Sequence, residues 1–108
     1  LDFRNAIKIG WRDRYQHASP NSAFPESVVA GALGIQLGGA HVYHGELITK
    51  PTIGDPTRSV EADDILSSIS MLYMTTTISV FVLSIIYFIL VIYLKRSMYV
   101  LYQKPFLN

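Results

Sequence analysis

Residues 71–94 read MLYMTTTISVFVLSIIYFILVIYL, and the uncharged stretch around them runs from Ile65 to Leu94. About 20 apolar residues carry a helix across a hydrocarbon layer roughly 30 Å thick. A soluble helix apolar on every side would need a larger core than a chain of 108 residues can build around it. A secretory signal is excluded by position, because the run lies toward the C-terminal end. The stretch therefore predicts a transmembrane helix. Ser70, Thr77 and Ser84 share one face of it, and a polar stripe of this kind meets other helices in a bundle. Lys95 and Arg96 close the run, with Tyr93 and Tyr99 where an interfacial aromatic belt is expected. Lys50 and Arg58 before the run, against Lys95, Arg96 and Lys104 after it, lean slightly toward a cytoplasmic C-terminus.

The remaining composition narrows the function class. A formal net charge of +1 gives no global attraction to nucleic acid. The absence of cysteine removes disulfides and thiolate metal sites. Beginning at Leu1, the sequence reads as a piece of something longer.

Upstream, residues 1–18 predict a helix with two adjacent stripes. Phe3, Ile7, Trp11 and Tyr15 make an apolar, aromatic face, and Arg4, Lys8 and Arg12 line up beside it. Such a face suits a membrane surface or a basic rim around an anionic ligand; the alternative is a helix packed on a neighbour with its charges in water. Ser19-Pro20 should end this helix. Residues 19–24, SPNSAF, read as a proline-stiffened loop. Pro25-Glu26 then open a second helix, PESVVAGALGIQL, stopped by Gly38-Gly39. Ala30, Gly34 and Gly38 have the small-xxx-small spacing that lets helices approach closely. This helix is too short to span a bilayer and reads as interfacial, re-entrant or packed. Residues 40–64 read as extended or looped, with a small hairpin around His44-Gly45 and Ser59 as the cap of the final helix.

No phosphate loop is present: GALGIQLGG lacks the lysine and hydroxyl of GxxxxGK[ST] and does not match GxGxxG. His41 and His44 lack a third ligand at a workable spacing, so no metal site is assigned. Asp13 and His17 would meet on a helix, the carboxylate orienting the imidazole. Adding Ser19 suggests a hydrolase triad, but triads depend on geometry that neighbours in sequence rarely reach, so an ion pair plus a turn serine is the simpler reading. The collective pattern says more. Arg12, Asp13, His17, Ser19, Asn21 and Glu26 form one cluster, and Lys50 and Asp55 in KPTIGDP form another. Prolines hold both backbones, which limits the entropy lost on gripping a ligand. These residues point to anion-binding loops on a membrane protein.

The run RDRYQHASPNSAFPESVVAGALGIQLGG, followed by KPTIGD and ADDI, resembles the C-terminal part of the CbiB/CobD family. Those proteins are the integral-membrane adenosylcobinamide-phosphate synthases of cobalamin biosynthesis. The resemblance covers residues 11–66, keeps several motifs in order and is followed by a span in the expected place. It implies an ATP-dependent acid-amine ligase that joins adenosylcobyric acid, a corrinoid, to an aminopropanol or its phosphate. Under that resemblance Arg12, Arg14 and Lys50 would neutralise phosphate and carboxylate, with Ser19, Asn21 and Asp55 as further substrate contacts. Asp13, Glu26 and Asp55 would hold Mg²⁺ or the attacking ammonium, and His17 would move a proton, which makes Asp13, His17 and Glu26 the catalytic candidates.

The expected architecture is mainly α and integral to the membrane. Residues 1–64 form the polar ligand-binding region, 65–94 the transmembrane helix and 95–108 a tail. The resemblance also implies further N-terminal transmembrane helices, hence a multi-pass cell-membrane protein. Residues 1–64 would then face the cytoplasm, where ATP and corrinoids are, which overrides the slight lean from charge. Expected partners are the corrinoid, the amino alcohol and membrane lipid, with no nucleic acid. Ala23 departs from the family's usual glycine and disfavours a positive backbone dihedral there. Ala40-His41 replace a more usual Pro-Asn, and the tail YVLYQKPFLN has no counterpart. The competing class is a non-catalytic single-span protein that binds an anionic ligand or partner helices.

Overall fold

The structure, a computed structural model, describes residues 1–106. The chain divides into two compact units, Leu1–Ile69 and Ser70–Asn108.

Helix α1 spans Phe3–Asp13. Asp2 caps it, its carboxylate accepting from the Asn5 amide at 3.0 Å. It ends well short of residue 18, because the backbone turns after Asp13, where the Gln16 amide closes back on the Asp13 carbonyl at 3.0 Å. Ala6, Ile9, Gly10 and Asp13 are its buried positions. The aromatic stripe of Phe3, Ile7, Trp11 and Tyr15 stays exposed.

Helix α2 spans Pro20–Leu33. Residues 20–24 are therefore helical, and the helix starts at Pro20 instead of Pro25. Pro20 takes the first-turn place where a missing N–H costs nothing, with Ser19 in the capping position. Pro25 lies inside the helix and leaves one carbonyl without its usual donor. The stop comes at Gly34, left-handed at φ 68°, before the expected Gly38-Gly39. There the Ile35 amide reaches the Ala30 carbonyl at 3.1 Å and the Gly34 amide reaches that of Gly31 at 3.3 Å, which satisfies the last carbonyls. Ala23 is fully buried within this helix. No positive dihedral is asked of it, so the departure from glycine carries no backbone penalty.

The two helices meet through small residues, though not through the Ala30–Gly34–Gly38 row. Asn5 Nδ2 donates to the Gly31 carbonyl at 2.8 Å, Ser27 Oγ to that of Gly10 at 3.3 Å, and the Asp2 amide to that of Ala32 at 3.0 Å. A Cβ at Gly31 would lie 2.5 Å from the Asn5 carbonyl oxygen and 2.9 Å from the Ala6 Cα. Alanine in a helix gains about 1 kcal/mol over glycine, whereas overpacking costs about 1–3 kcal/mol. Both neighbours are backbone and cannot swing away, so the steric cost wins. Gly31→Ala should lower the urea midpoint of unfolding followed by Trp11 emission.

Strands β1, Leu37–Tyr43, and β2, Glu46–Ile53, form an antiparallel hairpin. The expected turn is present: His44 and Gly45, at φ 51° and 79°, have the two positive dihedrals of a type I′ turn. The hairpin takes in Leu37 to Ile53, so the first part of the segment read as extended or looped is sheet. The register runs from Tyr43 opposite Glu46 to Gly39 opposite Lys50, with an irregularity between Leu37 and Gly39. Most of the hairpin is exposed; at its base Ile53 is fully buried against Ala23 and Ala30, with Leu37 alongside.

Helix α3 spans Asp63–Gln103, 41 residues or about 60 Å at 1.5 Å per residue. It is long and apolar enough to cross a membrane. Ser59 lies four residues before it and does not cap it; Asp63 and Asp64 supply negative charge to its first turn. The hydroxyls of Thr77 and Ser84 donate to the carbonyls of Tyr73 and Val80 at 2.8 Å each, so they are satisfied within their own helix. A short turn of 3₁₀ helix, Lys104–Phe106, follows.

Candidate functional site

The end of α1 and the end of β2 are tied by one guanidinium. Arg12 Nε and Nη2 donate to both oxygens of Asp13, at 2.7 and 2.8 Å. Its Nη1 and Nη2 also reach the two oxygens of Asp55, at 3.2 and 3.0 Å. Asp13 is buried, and its Oδ2 accepts a further bond from the Gly54 amide at 2.8 Å. The Arg12 hydrogen bonds hold the Asp13 carboxyl below its usual range, burial opposing and Gly54 helping. Arg12 is in turn raised above the ordinary guanidinium value, first by Asp13 and then by Asp55. The two clusters drawn from sequence thus share a centre, with Asp55 joined to Arg12 and Asp13.

A second constellation lies where α2 begins. His17 Nδ1 sits 3.3 Å from Glu26 Oε2, while Ser22 Oγ donates to Glu26 Oε1 at 2.7 Å. The other ring nitrogen, Nε2, is 3.2 Å from the Pro51 carbonyl oxygen. Both neighbours of the ring are acceptors, and a neutral imidazole can donate to only one of them. The expected Asp13–His17 contact does not form. The helix ends at Asp13, so the four-residue spacing no longer stacks the two side chains.

The family model described as CobD/Cbib protein matches residues 3–73. The chain belongs to the CobD/Cbib family. A relative from Streptococcus sanguinis, cobalamin biosynthesis protein CobD, is 63% identical over 93 residues, covering 86% of this chain and 29% of the relative. The CobD of Yersinia enterocolitica is 49% identical over 83% of this chain and 28% of its own length. Cobalamin biosynthesis protein CbiB of Salmonella typhimurium is 53% identical over 68% of this chain and 23% of its own length. The chain spans less than a third of the length of these curated relatives. No solved structure matches it.

The other candidate residues of this CobD/Cbib chain lie apart from the two constellations. Arg14 stacks over the rings of Trp11 and Tyr15, at 3.7 and 4.6 Å to their centroids, and donates to the Trp11 carbonyl. Ser19 and Asn21 are exposed at the start of α2, and the Ser19 hydroxyl makes no capping bond. Lys50 lies on the hairpin, where it lines an open cleft with His41, Tyr43 and Ile48. No group of three or more histidine or acidic side chains is placed to hold a metal ion among the described residues.

One polar network has no precedent in the sequence reading. Arg58 grips both oxygens of Asp64, at 3.0 and 2.5 Å, and its Nε donates to the Leu33 carbonyl at 3.1 Å. Asp64 also accepts from the Glu61 amide at 2.8 Å, and the Thr57 hydroxyl donates to the Gly34 carbonyl. The start of α3 is thereby fastened to the last carbonyls of α2. Arg58 and Asp64 are six residues apart, and their pairing depends on the bend of the loop between them and not on a helical spacing.

Proposed function

We propose that this chain is part of a membrane-bound ligase of cobalamin biosynthesis, joining adenosylcobyric acid to an aminopropanol or its phosphate to give adenosylcobinamide or its phosphate. The observation that carries this reading is the family match over residues 3–73, which contains every candidate residue from Arg12 to Asp55. The names of the CobD and CbiB relatives support cobalamin biosynthesis as the pathway. In this reading ATP, as its Mg²⁺ complex, is a co-substrate. It phosphorylates the corrinoid carboxylate with release of ADP, or adenylates it with release of pyrophosphate; the amine then attacks the activated carbonyl, and phosphate or AMP leaves as the amide forms. The ammonium must lose protons before and during attack.

The Asp13 carboxylate is already filled by Arg12 and Gly54, so the described residues do not by themselves form a Mg²⁺ cage. Asp13 instead fits a positioning role, holding the Arg12 guanidinium. Asp55 is 45% exposed and is the exchangeable partner: an incoming phosphate or carboxylate would replace it on Arg12 in the same two-pronged geometry. Lys50 and Arg14 add positive charge, with Ser19 and Asn21 as polar contacts. His17, backed by Glu26, is the group suited to take the proton of the amine. In the same reading α3 crosses the cell membrane within a multi-pass protein, and residues 1–64 face the cytoplasm.

The test is rescue of a synthase-deficient strain fed cobyric acid, using the full-length protein. His17→Ala should lower amide formation by about 10²–10⁴-fold, and Lys50→Ala should impair rescue while expression stays normal. Normal rescue by both variants at normal expression would remove their assignment.

A further inference from the structure

The outward face of α1 takes no part in the Arg12 or His17 constellations. Phe3, Ile7 and Trp11 are 70%, 74% and 68% exposed on it. Across the seam with α2 their apolar surface continues over Phe24 and Val28, forming one groove with Ala6 and Gly10. On the other flank Arg4 and Lys8 recur at the same spacing and are exposed, and neither is in an ion pair among the described residues. Both acids of this segment are engaged elsewhere: Asp2 caps the helix and Asp13 is buried against Arg12. The flank along the apolar stripe therefore carries the cations Arg4 and Lys8, with the exposed Asp2 confined to the capping position before the helix.

We propose that this face docks on the surface of an anionic lipid bilayer, with Phe3, Ile7, Trp11 and Phe24 at the acyl boundary and Arg4 and Lys8 among the headgroups. A short helix with aromatic and aliphatic side chains on one face and cations beside them has the composition of an interfacial helix. Tryptophan and tyrosine favour the headgroup level. At 11 residues α1 is too short to span and can only lie on the surface. A cationic flank complements an anionic leaflet, whereas the rim of a protein partner would be expected to meet charges of both signs. The same chain carries α3, which is long and apolar enough to bring it to a bilayer.

Trp11 is the sole tryptophan of the sequence, so its emission reports this face alone. The 108-residue chain is reconstituted in vesicles of phosphatidylcholine, or of phosphatidylcholine mixed equally with phosphatidylglycerol, each with and without acyl-brominated lipid. The expected result is strong bromolipid quenching and protection from acrylamide, both greater in the anionic vesicles. The Arg4→Ala/Lys8→Ala double variant should lose most of the anionic increment, since each cation contributes about five-fold to partition at such a surface. Its helicity by circular dichroism should be unchanged. Acrylamide access without bromolipid quenching would overturn the proposal by leaving the face in water. Shielding from both quenchers would overturn it by placing protein over the face. Equal quenching in the two lipid mixtures would remove the anionic requirement.

Discussion

Asp13→Ala is expected to cost the Leu1–Ile69 unit about 3 kcal/mol, near the lower end of what breaking a buried ion pair costs. The lower end applies because Arg12 is 44% exposed and keeps some hydration after the loss. A unit of this size holds only about 3–10 kcal/mol of stability in all, so the variant should lose about a third of it or more. The loss has two sources. The guanidinium keeps Asp55 but loses the partner that fixes it on α1, and the buried Gly54 amide loses its acceptor. Asp13→Asn retains an oxygen for Gly54 and should cost less, about 2 kcal/mol. The measurement is urea unfolding followed by Trp11 emission in detergent. Equal midpoints for wild type and Asp13→Ala would show that the knot contributes nothing.

The same carboxyl predicts an acid limb of stability. Its pKa lies below the ordinary aspartate value in the folded chain, so on acidification the unfolded state takes up this proton first. The stabilisation is therefore complete above the unfolded value of about 3.9 and is lost as pH falls through the lower folded value. Unfolding free energy should rise with pH across that acid range in the wild type and rise less steeply in Asp13→Asn. A parallel pH profile in the variant would assign the acid limb to other carboxyls.

How much of this was legible depends on how local each cause is. The apolar run from Ile65 and the His44-Gly45 turn were readable because a charge-free helix and two positive dihedrals each depend on adjacent residues. Family membership was readable too, since RDRYQHASPN, KPTIGD and ADDI carry it in order. Helix ends were less readable where two signals of one kind compete. Pro20 and Pro25 both suit a first turn, and the chain uses the earlier because its turn after Asp13 delivers it there. Gly34 and the Gly38-Gly39 pair both suit a stop, and the first left-handed glycine wins. Of the two readings of the α1 stripe, an exposed face or one packed on a neighbour, the structure has the exposed one. Close contact with α2 through Gly31 is made by Ala6, Ile9 and the Asn5 backbone, and it leaves the large aromatics on the outer side. Site residues were nominated from charge and proline content, and their grouping needed the hairpin. Folding β2 back on β1 carries Gly54 to Asp13, Asp55 to Arg12 and the Pro51 carbonyl to His17, while Lys50 lies on the hairpin cleft. Arg58 and Asp64, six residues apart, meet through the bend of their own loop.

Gly54→Ala should be the most damaging of the glycine substitutions, costing about 2–5 kcal/mol as the sum of a left-handed backbone for an L-residue and overpacking. Gly54 sits at φ 81°, and a Cβ there would lie 2.3 Å from the Ile35 carbonyl oxygen and 2.9 Å from the Ala30 Cβ. Neither obstacle can rotate away, because one is backbone and the other belongs to a buried alanine. Relief requires moving the end of β2 off α2, which also draws the Gly54 amide away from Asp13. Gly45 separates the two costs. It has nearly the same dihedral, φ 79°, but a methyl group there would meet nothing within 4 Å, so Gly45→Ala should lose only the backbone share, about 1–2 kcal/mol. Coupling to the knot predicts that Asp13→Ala and Gly54→Ala together cost less than their sum, because each removes the same hydrogen bond. Urea midpoints of the two single variants, the double variant and Gly45→Ala decide the matter. Strict additivity would mean that the end of β2 is held by Ile53 packing and not by the Asp13 carboxylate.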